Sequence, residues 1–282
     1  MPELAEVELA RRTWLPALEK KIITVETHPR TRIYRDTPAA EIEAALTNST
    51  LTHTRSHGKR LLFTFTKNTQ ELPLEVHLGM AGRLSIHPPD HQPHKHDHLI
   101  LHTSELTLAF NDYRQFGRAH LHSDNDPWSS LPPEVFSRRF TEKYLTQVLT
   151  KRSRTNLKAL ILDQNYFPGI GNWMADEICW RLHLHPATPT ANLVASALRK
   201  ETQWVTRGAL KHVADKNESL LNKPDQGFTP GSYVQQVPPR SWLFQHRWKP
   251  GGSCPRCQTE LSRATIATRT TAWCPACQPK IA

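Results

Sequence analysis

Cys254-Pro-Arg-Cys257 and Cys274-Pro-Ala-Cys277 enclose sixteen residues and hold four of the five cysteines in the sequence. Two thiolates separated by two residues can grip one metal ion from a tight turn. A second such pair completes a tetrahedron, and the spacing between the pairs falls in the zinc-ribbon range. Disulfides are the competing reading. They suit a secreted, cysteine-dense chain, and here the chain shows no signal-peptide pattern and the cysteines are few. The spacing predicts one structural Zn²⁺ on Cys254, Cys257, Cys274 and Cys277, clipping a small β-hairpin. A closed four-thiolate site keeps no open coordination position, so any bond-breaking chemistry lies elsewhere in the chain.

The surroundings of the quartet suggest a polyanionic partner. Between Arg240 and Ala282 stand seven Lys/Arg and a single acid, Glu260, which is +6 of the chain's formal +10. A compact basic hairpin makes a phosphate-binding surface, although charge alone does not separate that from a solvated basic tail. No apolar run reaches membrane-spanning length, so no membrane partner is expected.

At 282 residues the chain can hold two domains and the metal appendage. Residues Pro2 to Leu18 carry Leu4, Val7, Trp14 and Leu18 at rough helical spacing, with Pro2 suited to a first turn. Short alternating segments follow: Arg60–Thr66, Leu74–Leu78, His98–His102, Leu106–Phe110 and Arg118–His122. They predict an antiparallel sandwich or barrel. Ser123–Pro133 reads as a linker, after which the texture turns helical over Glu142–Leu149, Asn156–Asp163, Asn172–Leu182 and Ala191–Val213. Residues 214–239 read as a long loop. The expected architecture is α+β and multidomain: an N-terminal antiparallel β-sandwich with an N-terminal helix (1–130), a helical domain (131–239), and a four-cysteine zinc-finger β-hairpin (240–282).

Two local features carry chemistry. In the helical part, Lys158-Ala-Leu-Ile-Leu-Asp-Gln-Asn165 leads into Pro168-Gly169-Ile-Gly171-Asn172 and then Trp-Met-Ala-Asp-Glu-Ile178. One helix stops, a double turn follows, and Asn172 can cap the next helix. Backbone N–H groups at such a terminus can bind phosphate, and an ordinary helix connection is the plainer alternative. At the other end, Met1-Pro2-Glu3 exposes a secondary amine once the initiator Met is removed. An α-amino group titrates near pH ~8, against ~10.4 for lysine, so part of it is neutral and nucleophilic near neutrality. Glu3 can shuttle protons beside it and Glu6, one turn on, can orient the amine. The plainer alternative is a frayed terminus.

Together these features resemble the bacterial formamidopyrimidine-DNA glycosylase/endonuclease VIII family along nearly the whole chain. The matching segments are Met1-Pro-Glu-Leu-Ala-Glu-Val-Glu8, His57-Gly-Lys59-Arg-Leu-Leu62, His77-Leu-Gly-Met80-Ala-Gly-Arg-Leu84, Lys95-His-Asp-His98, Asp112-Tyr-Arg114-Gln-Phe116-Gly117, Gly169-Ile-Gly-Asn172 and Arg269-Thr-Thr-Ala-Trp-Cys274. Each is modest alone; in register they are specific. The helical domain is then expected to be the family's helix–two-turn–helix element.

The resemblance implies a bifunctional DNA glycosylase and apurinic/apyrimidinic lyase acting on damaged or abasic double-stranded DNA. It implies a monomer in the bacterial cytoplasm, associated with the nucleoid. Pro2 would attack C1′ of the flipped nucleotide and form a Schiff base, Glu3 would transfer protons, and β- and δ-elimination would cut the strand. Lys59 would act at the neighbouring phosphate or the base. Met80, Arg114 and Phe116 would fill and wedge the vacated stack, where core packing is the alternative for Met80 and Phe116. His96, Lys158, Asn172 and Arg269 would bind phosphates, with Arg269 also counted in the catalytic assembly. Cys179 reads as a buried structural thiol.

The sequence departs from the family at Ala5, where Pro is usual, and at Gln115, where a second arginine often stands. The stretch Asn217–Gln236 is hard to match. Leu4, in place of the glycine of the endonuclease VIII branch, favours the formamidopyrimidine branch and oxidised purines such as 8-oxoguanine. An endonuclease VIII-like enzyme for oxidised pyrimidines and a catalytically silent zinc-finger protein that binds damaged DNA are the alternatives.

Overall fold

The computed structural model describes residues 2–28, 31–220 and 237–280. They form two compact units, one of residues 2–130 with 213–220 and one of 131–212 with 237–280.

The first unit contains α1 (Leu4–Thr13), β1 (Thr24–Thr27), α2 (Ala39–Leu46), β2 (Thr50–His57), β3 (Arg60–Lys67), β4 (Gln70–His77), β5 (Arg83–His87), β6 (Asp97–His102), β7 (Thr107–Asn111) and β8 (Arg118–Leu121). Two antiparallel four-stranded sheets result, ordered β2-β3-β4-β8 and β1-β6-β7-β5. Leu61, Phe63 and Phe65 alternate along β3 and are fully buried, as period-two packing of one sheet face requires. Leu99, Leu101, Leu108 and Phe110 are the fully buried counterparts in the other sheet. Trp14 leans on Phe63 with ring centroids 4.6 Å apart. Its indole N–H donates to the Ser85 carbonyl at 3.2 Å. One side chain at the end of α1 thereby ties both sheets to the N-terminal helix.

The helix expected over Pro2–Leu18 is shorter. It ends at Thr13 and gives way to a 3₁₀ turn at Leu15–Ala17. Pro16 is the physical reason, since it lacks an N–H and disfavours helical backbone at the residue before it. Strands β1, β2 and β5 and helix α2 add to the five strands read from sequence. Of the expected loop, Asp215–Leu220 form a 3₁₀ turn and residues 237–239 have no regular structure. Asp215 meets Arg12 of α1 at 3.0 Å. Residues 221–236, most of the hard-to-match stretch, lie outside the described residues.

The second unit contains α3 (Glu142–Lys151), α4 (Leu157–Leu162), α5 (Asn172–Arg181), α6 (Ala195–Ala209) and the hairpin β9 (Ser262–Ile266)–β10 (Arg269–Trp273). Thr141 Oγ1 accepts the Tyr144 N–H at 3.1 Å and Asn156 Oδ1 accepts the Ala159 N–H at 2.8 Å, so α3 and α4 begin with side-chain caps. The single helix expected over Ala191–Val213 is three pieces: a 3₁₀ turn at Thr190–Asn192, α6, and a π turn at Leu210–Ala214. Trp180 of α5 packs with Leu243, Leu261, Cys254 and Cys274 in a small core beneath the cysteines.

Candidate active site and nucleic-acid interface

Strand register gathers the N-terminal motifs at one end of the sandwich. Arg60 at the start of β3 pairs with His77 at the end of β4, and His77 pairs with Arg118 at the start of β8. In the other sheet Arg83 pairs with Asn111, and Asn111 with Asp97. The residues just beyond these aligned ends are Lys59, the 78–82 loop, the 112–117 loop and His96. Helix α1 runs antiparallel to β2, with Arg11 Nη1 2.6 Å from Thr54 Oγ1 and Glu8 Oε2 3.0 Å from Ser56 Oγ. Glu3 is the N-cap of α1, with Pro2 just before it.

Pro2 is buried, and Glu3 is 4 % exposed. Glu6 was expected to orient the amine; in the structure its Oε2 accepts the Glu3 N–H at 3.1 Å, which fixes the first turn of α1. Ala5, where the family favours Pro, lies within that turn and is fully buried. Lys59 is half-buried in the two-residue turn between β2 and β3. Gly58 precedes it at φ +59°, the left-handed conformation such a hairpin turn asks of its first residue.

Met80 and Phe116, for which core packing was the alternative, are 41 % and 50 % exposed. A buried carboxylate fixes the second of their loops. Asp112 accepts the Arg114 N–H at 3.1 Å and the Gly117 N–H at 2.6 Å, and so closes residues 112–117 into a rigid tip. The Arg114 guanidinium lies 4.9 Å over the Phe116 ring. Gln115, at φ +53°, turns back to the protein and accepts the Arg32 N–H at 3.2 Å. Tyr113, which sequence reasoning passed over, is the most exposed aromatic of the tip at 60 %. Its ring stands 6.5 Å from that of half-buried His96. His77 steadies the first loop: its Nδ1 accepts the Gly79 N–H at 3.0 Å. Burial, helped by nearby Arg60, pushes the His77 pKa down to about 4, so the ring stays neutral and able to accept.

Gly79 is where the two loops touch. Its φ is +59°, and a Cβ there would stand 2.4 Å from the Phe116 carbonyl carbon and 2.6 Å from the Gly117 nitrogen. Backbone cannot yield as a flexible side chain can. Gly79→Ala is expected to destabilise the protein by about 2 kcal/mol and to weaken binding of an abasic-site duplex. Urea melting and a gel-shift titration check this; wild-type values for both would contradict the packing described.

The second unit presents the other motifs. Gln164 braces the turn between α4 and α5: its Nε2 donates to the Leu162 and Ile170 carbonyls at 2.9 and 2.8 Å, and its Oε1 accepts the Gly169 N–H at 3.0 Å. Gly169 adopts φ +90°, which an L side chain rarely tolerates. Asn172 was expected to cap α5; the cap position belongs to Gly171, and Asn172 is the first helical residue. Its side-chain N–H donates to the Thr270 carbonyl at 2.9 Å, pinning the hairpin beside exposed Arg269. Ala267 and Thr268 both take left-handed φ values, 52° and 60°, in the two-residue turn that delivers Arg269 to the start of β10.

Lys158 does not face solvent, contrary to the expectation that it touches a phosphate. Its side chain is fully buried, with Nζ 2.5 Å from Asp176 Oδ1 and 2.7 Å from Thr271 Oγ1. Asp176 also takes Arg247 through Nε at 2.9 Å and Nη2 at 2.6 Å, and accepts the Ala272 N–H at 3.1 Å. One carboxylate on α5 thus holds a lysine of α4, an arginine and the backbone of β10. Burial pushes the Lys158 pKa down and the Asp176 charge opposes that shift. The pattern that would have revealed this hub is long-range, and no local spacing carries it.

The four cysteines converge as the spacing predicts. Among the described residues Cys254, Cys257, Cys274 and Cys277 offer sulfurs that could hold one ion. Sγ separations of 3.9 Å (Cys254–Cys277), 3.4 Å (Cys257–Cys274) and 3.5 Å (Cys257–Cys277) exclude disulfides. They match the edges of a tetrahedron about a metal with ~2.3 Å bonds to sulfur. The Trp180 indole N–H approaches Cys254 Sγ at 3.3 Å, the kind of outer donor that steadies a thiolate ligand. Cys179 is fully buried on α5, and burial pushes its thiol well above the usual range, as an inert core residue requires.

Residues 1–119 match the family model for the formamidopyrimidine-DNA glycosylase N-terminal domain, and residues 131–218 the model for its H2TH domain. The formamidopyrimidine-DNA glycosylase of Chloroflexus aurantiacus is 32 % identical, over 99 % of this chain and 98 % of its own length. That of Bacillus cereus is 30 % identical over the full length of both. Among solved structures, a mutant of the Lactococcus lactis enzyme bound to Fapy-dG DNA superimposes with a TM-score of 0.83 at 27 % identity, covering 99 % of this chain and 100 % of that one. The wild-type Lactococcus enzyme is similar to the same degree in a complex with DNA containing an oxidised pyrimidine.

Proposed function

The chain belongs to the formamidopyrimidine-DNA glycosylase family, and from that premise we propose that it excises oxidised purines from duplex DNA and then cuts the strand at the abasic site. One observation carries this reading. Lys59 and the loops of exposed Met80 and Phe116 adjoin strand ends held in register, and Pro2 and Glu3 are buried at the start of α1, which supports one assembly of these residues.

The chemistry follows from these groups. Rotating the damaged nucleotide out of the duplex leaves a gap that Met80, Arg114 and Phe116 fill, with Arg114 able to hydrogen-bond the orphaned base. The Pro2 nitrogen, free once Met1 is removed, forms a bond to C1′ as the bond from C1′ to the base breaks. Glu3 protonates the sugar ring oxygen as it leaves C1′, and the nitrogen, its own proton lost, becomes an iminium. The positive iminium acidifies the C2′ hydrogen. Loss of that proton expels the 3′ phosphate, and loss of a C4′ proton then expels the 5′ phosphate. Hydrolysis returns the amine. Lys59 neutralises the adjoining phosphate or places a proton near the base.

Backbone contacts come from His96 in the first unit and from Asn172 and Arg269 in the second. Lys158 acts indirectly, by holding the strand that carries Arg269. The donor set of the hairpin fits Zn²⁺, which when bound supplies structural rigidity and takes no part in bond breaking. No described helix is long and apolar enough to cross a membrane. A DNA substrate and bacterial relatives support a cytoplasmic location.

The lesion class is tested by measuring single-turnover excision on matched duplexes carrying 8-oxoguanine, formamidopyrimidine or thymine glycol. Faster release of the two purine lesions is expected. Faster cutting at thymine glycol would overturn the assignment in favour of an oxidised-pyrimidine enzyme.

A further inference from the structure

A second cluster of metal-ligating side chains stands apart from the cysteines, on the connection between β5 and β6. Ligand atoms of His91, His94 and Asp97 all lie within 4.8 Å of one another. The spacing is His-x-x-His-x-x-Asp, on a turn closed by reciprocal bonds: the Asp97 N–H donates to the His94 carbonyl at 2.9 Å, and the His94 N–H to Asp97 Oδ2 at 2.9 Å. His91 Nε2 is 3.3 Å from Asp97 Oδ2, long for a charge-assisted hydrogen bond. It equals the ligand–ligand edge of a tetrahedral site whose metal–ligand bonds are about 2.0–2.1 Å.

The surroundings are built as an outer shell would be. Asn111 Nδ2 donates to Asp97 Oδ1 at 2.8 Å, while Oδ2 takes the His94 N–H and faces the His91 imidazole. The His87 ring stacks on His91 with centroids 3.8 Å apart and planes 12° from parallel, which fixes the His91 ring. His87 is itself held through a 2.8 Å contact from its Nε2 to Ser85 Oγ. His91 and Asp97 are nearly enclosed, with side chains 8 % and 3 % exposed, whereas His94 faces solvent and gives an ion a way in.

We propose that His91, His94 and Asp97 form a second metal site, specific for a divalent borderline ion such as Zn²⁺, with solvent as the fourth ligand. Two imidazoles and one carboxylate select zinc, nickel, cobalt or copper over magnesium and calcium, which require more oxygen donors. An ion there would cross-link the 88–97 connection to the start of β6 on either side of Lys95 and His96.

The test uses the full-length protein already carrying one zinc, titrated with Zn²⁺ by calorimetry and followed by hydrogen exchange. The expected result is uptake of one further equivalent, with increased amide protection across residues 91–97. His94→Ala, which alters an exposed side chain, should weaken the second equivalent at least tenfold and leave the first intact. In a Co²⁺ titration the second equivalent should add d–d absorption without new thiolate charge transfer. The site is refuted if the zinc-loaded wild type takes up no further equivalent, if His94→Ala retains that further equivalent, or if protection appears elsewhere.

Discussion

A chain that retains Met1, or carries one added residue before Pro2, is expected to bind an oxidised-purine duplex nearly as well as the mature protein and to release no base. In either form the Pro2 nitrogen is an amide, its lone pair delocalised into the preceding carbonyl. An α-amino group ordinarily titrates near pH ~8, well below a lysine, so such amines have a neutral, nucleophilic fraction at pH 7. Loss of a covalent nucleophile removes the whole pathway, so single-turnover excision should fall at least ~10⁴-fold. Pro2→Gly keeps an amine but loses the ring that fixes it, and is expected to retain binding with much reduced excision. Glu3→Gln should leave binding intact and slow excision about 10²–10⁴-fold, the range of a positioned proton-transfer group. Undiminished excision by the Met1-retaining chain would remove Pro2 from the mechanism.

The second large effect is expected at Asp176. Its carboxylate is fully buried between Lys158 and Arg247 and also anchors the Ala272 N–H of β10. Asp176→Asn leaves two buried cations with no counter-charge. Breaking a buried pair from one side costs about 3–5 kcal/mol, a large share of a stability of ~5–15 kcal/mol. Thermal melting of the unit should shift down by roughly 10–20 °C. DNA affinity should drop with it, because Arg269 sits on the strand this carboxylate holds. Replacing Lys158 and Asp176 together with apolar residues of similar volume should recover much of the stability, since the buried pair is costly to desolvate. Melting by calorimetry and duplex affinity by anisotropy read both outcomes. A variant that melts like the wild type would show that the hub carries no load.

What could be read from the sequence was local chemistry. The cysteine spacing, the Met1-Pro2-Glu3 start and the Gly169-Ile-Gly171-Asn172 turn each declare themselves within a few residues, and the structure gathers the four sulfurs as their spacing requires. The strongly patterned strands were also legible: β3, as Arg-Leu-Leu-Phe-Thr-Phe-Thr-Lys, alternates plainly. Strand β2 was not. In Thr-Leu-Thr-His-Thr-Arg-Ser-His only Leu51 is apolar, because the strand is a sheet edge with much of its length open to solvent. Strand β1 is likewise a short, polar edge strand.

Misjudged residues are those whose partners lie far along the chain. Lys158 reads as a phosphate ligand until Asp176, eighteen residues on, and Thr271, 113 residues on, are found around its ammonium. Asn172 resembles a helix cap, yet its amide serves Thr270, 98 residues away. Asp112 shows no sign in sequence that both its oxygens close the wedge loop. Such contacts need the folded backbone to exist first, and no short window of sequence contains them.

The central claim is that the N-terminal proline amine forms the covalent bond to DNA. Its most direct test is borohydride reduction of the mature protein mixed with an 8-oxoguanine duplex, followed by proteolysis and mass mapping of the cross-link. The predicted result is a one-to-one covalent adduct whose DNA mass maps to the N-terminal peptide, attached at Pro2. No adduct, or one attached at Lys59 or any other lysine, would contradict the account.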